Sequence, residues 1–178
     1  MGVRSKYFVV SAVLGLAATM LPGVVGAGEA GKGVDFRKLE FTHGKASSQA
    51  ALQVPGGSRT LVLHQPEPFN PPSAWSGPVE LRNGARPCKA DFVVVTDVYA
   101  AGTAPYLVLV TFSKNENIVR FMDASTCREA HKPIRAASEA ITVSGNRLEI
   151  KPACADPARC GNPQVYELFP DASPRLQR

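Results

Sequence analysis

Residues Tyr106-Leu107-Val108-Leu109-Val110-Thr111-Phe112 are apolar at nearly every position, and this constrains the fold more than any other stretch of the chain. A strand with one wet face alternates apolar and polar side chains. A run without that alternation has both faces covered, so either a second layer lies on each side or the sheet closes into a barrel. Two further runs flank it, Phe92-Val93-Val94-Val95-Thr96 and Ile118-Val119-Arg120-Phe121-Met122, with Gly-, Pro- and Asn-bearing turns between. β-Branched and aromatic side chains suit a pleated surface, so Asp91 to Asp123 reads as three consecutive central strands. The expected fold is mainly β: one antiparallel sandwich or partly closed barrel of about eight to ten strands, with at most one or two short helices. Val94, Leu107, Leu109, Ile118 and Phe121 are its expected central core.

Residues 1–27 have the pattern of an export signal. Arg4 and Lys6 form a basic start, Tyr7 to Leu21 an apolar core, and Val25-Gly26-Ala27 a small-residue cleavage site. The apolar core is shorter than the roughly 20 residues a membrane span needs. Cleavage after Ala27 is therefore expected, leaving 178 − 27 = 151 residues with no membrane segment. The residue immediately after that site is Gly28 and not a cysteine, so a lipid anchor is not expected. The remaining length suits one domain, with residues 28–33 and the polar 170–178 flexible and residues 34–169 forming the β domain. Loss of Arg4 and Lys6 lowers the net charge from +5 to 18 − 15 = +3. The charges are interspersed and no basic run occurs, so nucleic acid is not an expected partner.

Cys88, Cys127, Cys154 and Cys160 make an even count, which in an exported chain reads as disulfides and a periplasmic or secreted location. Cys154 and Cys160 enclose only Ala-Asp-Pro-Ala-Arg, so these two sulfurs should meet, leaving Cys88 for Cys127. A metal site is the competing reading. It lacks any Cys-x-x-Cys and has only His43, His64 and His131 to draw on, so no metal or other cofactor is expected.

In chain order, Val34 to Phe41 reads as a first strand with a bulge, because Val34 and Phe36 alternate in one register and Leu39 and Phe41 in the other. Ala50–Val54 and Thr60–His64 flank Pro55-Gly56-Gly57-Ser58, a turn signal. Gln65 to Pro78 carries five prolines and the only tryptophan, Trp75, which excludes helix and central strand and predicts a long ordered loop or an extended polyproline segment, either functional or a belt packing Phe69 and Trp75 over an open end of the core. Val79–Arg82 is a short strand ending at Asn83-Gly84. Asp123 or Ser125 should cap one helical turn before Pro133. Glu139–Val143 and Arg147–Lys151 form a hairpin across Ser144-Gly145-Asn146, and Val165–Phe169 is the last strand.

No G-x-S-x-G, S-x-x-K or H-E-x-x-H places a nucleophile or a metal, so no catalytic residue is assigned. Gly26 to Gly31 matches G-x-G-x-x-G, yet the expected cleavage cuts through it and no strand precedes it. His64, at a strand end beside the proline segment, is the best single acid–base candidate; Glu80, Asp91 and Asp97 could supply a carboxylate pair, although at or near strand ends charged residues ordinarily face water.

Ile141-Thr142-Val143-Ser144-Gly145-Asn146-Arg147-Leu148-Glu149-Ile150, then Ala153-Cys154, the short loop and Cys160-Gly161, resembles the hairpin and disulfide loop of periplasmic inhibitors of vertebrate lysozyme. The resemblance implies a protruding loop that plugs an enzyme's active site. That family uses a histidine there; this loop is a residue longer and carries Asp156 and Arg159, so no binding residue is carried over. The expected function is a non-catalytic protein-binding or inhibitor-type module of the bacterial envelope, its partner another protein. Trp75, Asp156 and Arg159 are the candidate contacts, because Trp and Arg dominate interface energies and pre-ordered loops lose little entropy on association. A structural or accessory envelope protein and a small secreted hydrolase using His64 are the alternatives.

Overall fold

Both faces of the most apolar run are covered. Tyr106–Ser113 is strand β8, the middle of a five-stranded antiparallel sheet ordered β1 (Phe36–Lys38), β7 (Val94–Ala101), β8, β9 (Glu116–Asp123), β10 (Arg128–Ala136). Successive side chains of a strand point to opposite faces, and here each face meets another sheet. Leu107 and Leu109, with Val98, Ala100 and Met122, pack against Leu52, Leu61, Leu63, Val79 and Leu81. Those belong to a second sheet ordered β2 (Thr42–His43), β3 (Ser47–Val54), β4 (Gly57–His64), β5 (Val79–Arg82), β6 (Cys88–Ala90). Val108 and Val110, with Phe36, Val119 and Phe121, pack against Val143, Leu148, Ile150 and Leu168. These lie in a third sheet ordered β11 (Ser138–Ser144), β12 (Arg147–Pro152), β13 (Gln164–Leu168), β14 (Pro174–Leu176). The three sheets are antiparallel and none closes into a barrel, so the sandwich form of the expectation holds.

The computed structural model describes residues 34–178 other than 83–86, 93, 103–104, 155–159 and 178, and not the side chain of Glu139. The expected leader, the 28–33 stretch, the Asn83-Gly84 turn, and Asp156 and Arg159 lie outside the described residues. Among the described residues there are fourteen strands and no helix. The strand count exceeds the expected eight to ten because β1, β2, β6 and β14 have only two or three residues. Pieces that short carry no periodicity.

Val34 to Phe41 is not one bulged strand. Its change of register is a change of sheet: Phe36 enters the core shared with the third sheet, whereas Leu39 and Phe41 pack against the core shared with the second. The expected capped turn is present as a single turn: the Asp123 carbonyl accepts from the Cys127 N–H at 2.9 Å, its carboxylate accepts from the Ser125 N–H and hydroxyl, both 2.6 Å, and the chain then reverses into β10. β10 runs through Pro133 at a sheet edge with two register shifts, a position that tolerates a missing N–H. The expected flexible tail contains β14, paired with β13 through Leu168↔Pro174 and Tyr166↔Leu176.

Both expected disulfides are present, Cys88–Cys127 and Cys154–Cys160. The first ties β6 of the second sheet to the turn between β9 and β10 of the central sheet. Its sequence separation of 39 corresponds to about 3–4 kcal/mol of stabilisation in the chain-entropy view. Two such bridges are typical of extracellular or periplasmic proteins. No described helix is long and apolar enough to cross a membrane.

Candidate functional site

The proline-rich segment continues β4 and β5 outward as a hairpin. Gly77 N–H donates to the His64 carbonyl (3.1 Å), Ser76 N–H to that of Gln65 (3.0 Å), and Glu67 N–H to that of Ala74 (2.9 Å). The donors on these rungs are all non-proline residues, so Pro66, Pro68, Pro71 and Pro72 sit where a missing N–H breaks no rung. Trp75 exchanges two backbone hydrogen bonds with Val95 of β7, each 2.9 Å, which fastens the stem to the central sheet. Ser73 donates its hydroxyl proton to the Glu67 carboxylate at 3.0 Å, closing the tip. On that tip Phe69 is 68% exposed, more than any other large apolar side chain described.

Trp75 itself is core, at 5% exposure. Its indole N–H donates to the Ser48 hydroxyl at 2.9 Å, and that oxygen lies 3.0 Å from His43 Nδ1. Ser48 is fully buried, and its polarity is satisfied by these two partners. The His43 ring stacks over the indole at 6.4 Å between centroids, and Phe41 packs on it at 5.4 Å, tilted by 41°. Two grooves open around this aromatic group. One, of about 590 Å³, lies between the β1–β2 crossover and the hairpin, lined by Lys38, Glu40, Phe41, His43, Pro72 and Asp97 among others. The second, of about 500 Å³, runs beneath the tip past His43, Lys45, Glu67 and Phe69. Lys38 and Asp97 form an ion pair on the wall of the first.

A separate polar cluster occupies the outward face of the second sheet. Glu80 of β5 is 5% exposed and accepts hydrogen bonds from Arg82 Nε at 3.0 Å and from His64 Nε2 at 2.9 Å, with the Lys89 ammonium 3.6 Å away. The Arg82 hydrogen bond is the largest influence on its acidity. With His64 and Lys89 it outweighs burial and lowers the carboxyl from 4.5 to about 2. Gly77 makes this arrangement possible, because a Cβ there would lie 2.7 Å from His64 Cβ and 2.9 Å from its carbonyl carbon.

The sequence-expected residues thus separate. His64 and the carboxylate Glu80 do meet, on a sheet face, and His64 lines neither groove. Asp97 pairs with Lys38. Trp75 is a pillar under the hairpin, and the side chain displayed in its place is Phe69. Asp156 and Arg159 belong to the loop closed by Cys154–Cys160 and lie outside the described residues. His43 and Ser48 were not singled out by the sequence. Ser48 has a signal, since Ser48, Ala50, Leu52 and Val54 alternate and place a hydroxyl on the core face. Among the described residues no three His, Cys, Asp or Glu side chains lie close enough to hold a metal ion. Comparison with protein-family models and with curated proteins found no match to the chain.

Proposed function

We propose that the chain is an exported, non-catalytic protein-binding module of the bacterial envelope, and that the tip of the proline hairpin is its contact surface. One observation carries this reading: Phe69, an aromatic side chain 68% in water, stands on a segment whose backbone is already fixed. An aromatic anchor on a pre-ordered segment buries much apolar area with little loss of conformational freedom, the combination that dominates interface energies. The grooves on either side of Pro72 give a partner concave surface to fill.

The mature protein used as bait on envelope extract, followed by mass spectrometry, should identify the partner. Phe69→Ala should then weaken binding by at least about 2 kcal/mol, roughly thirtyfold in dissociation constant. His64→Ala should leave it unchanged. If Phe69→Ala binds normally while His64→Ala abolishes a hydrolytic activity, the molecule is an enzyme built on the His64–Glu80 pair.

A further inference from the structure

The groove beside the hairpin contains a carboxylate that the fold leaves unused. Asp35 pairs with Arg37, Asp97 with Lys38, Glu116 with Arg135, Glu129 with Arg120, and Glu149 with Arg147. Glu67, Asp123, Glu167 and Asp171 accept hydrogen bonds, and Glu80 is enclosed by three cationic or ionisable groups. Among the described side chains this leaves Glu40 and Asp91 without a partner, and of the two only Glu40 lines the groove. Around it lie the Phe41 and His43 rings and a second carboxylate, Asp97, whose single counter-ion is Lys38. One ammonium against two carboxylates makes this lining net negative, on a chain whose overall charge is positive.

We propose that this groove receives an arginine side chain from an extended segment of the partner protein. The inference rests on the binding-module reading and adds the partner's chemistry to it. A guanidinium is planar, so it stacks on an aromatic face while its edge donates two parallel hydrogen bonds to a carboxylate. Phe41 supplies the face and Glu40 the free carboxylate. A neighbouring aromatic group strengthens the attraction for a cation. An acidic or neutral side chain in the same place would leave Glu40 unpaired and desolvated, which gives the site its selectivity.

The single tryptophan provides a direct readout, because its indole N–H gives one resonance and Trp75 is among the residues that line the groove. Isotope-labelled mature protein should be titrated with acetyl-Ala-Arg-Ala-amide and, separately, with acetyl-Ala-Glu-Ala-amide. The arginine peptide should shift the Trp75 indole and Glu40 amide signals saturably, at least about tenfold more tightly than the glutamate peptide. Glu40→Gln should weaken that binding by at least about tenfold with an unaltered thermal melt, and raising the salt to about 0.5 M should weaken it in the wild type. Equal response to both peptides, or Glu40→Gln binding like wild type, overturns the inference. With the captured partner the two claims separate. A Phe69→Ala defect without a Glu40→Gln defect removes the arginine site and keeps the binding module. Arginine-peptide binding at the groove together with full partner affinity in Phe69→Ala does the reverse.

Discussion

Glu80 is the residue whose chemistry departs furthest from its sequence appearance. An acid near a strand end ordinarily faces water, yet this one is buried under Arg82, His64 and Lys89. Its folded-state value of about 2 lies below its ordinary 4.5, so the stabilisation is fully present above about 4.5 and is lost as pH falls through that range toward 2. Thermal melts between pH 6 and 2 should therefore show the wild type losing stability in that window and Glu80→Gln losing less. Parallel curves for the two proteins would mean that the cluster is not ionised as described. The two loop aromatics make a second residue-scale test. Trp75→Ala removes a buried indole and should cost about 3–5 kcal/mol. Phe69→Ala removes an exposed ring and should change stability by no more than about 0.5 kcal/mol, as urea unfolding would show. Composition could not assign these roles. Pro66 to Pro78 has no period, and only the backbone pairing with Val95 reveals which ring turns inward.

At the scale of elements, β8 carries the fold, and a strand buried on both faces should be sensitive on both. Leu109→Ala opens space toward the second sheet and should cost about 2–5 kcal/mol; Phe121→Ala opens it toward the third and should cost about 3–5 kcal/mol. A loss below about 1 kcal/mol for either, in equilibrium denaturation, would show that its layer is missing. This strand was legible because Leu107, Val108, Leu109 and Val110 leave no polar face. The hairpins β3–β4 and β11–β12 were equally legible. Their turns contain Gly56 and Gly145 at φ of 92° and 60°, a conformation that glycine adopts without strain. β10 was hidden because Pro133 and four charged residues mask a half-buried edge strand. The change of sheet between β1 and β2 left only a phase change within Val34–Phe41, which a bulge would produce equally well.

Across the whole molecule, three stacked sheets leave the proline hairpin as an extension of one layer pinned to another. Its stem grows from β4 and β5, and Trp75 fastens it to β7. That double attachment holds Phe69 outward without any loop needing to order on binding. It also explains how much of the candidate site could be read in advance: the segment was recognisable from its prolines, but its displayed residue depends on contacts between strands far apart in sequence. The central claim is that this tip is where a partner docks. Placing a photo-crosslinking benzoylphenylalanine at position 69, and in a second strain at the 40% exposed Phe112 at the end of β8, tests it inside the envelope. Irradiation should yield a discrete adduct, with the same protein that the bait captures, from position 69 and not from 112. Adducts from 112 alone, or equal diffuse adducts from both positions, would contradict it.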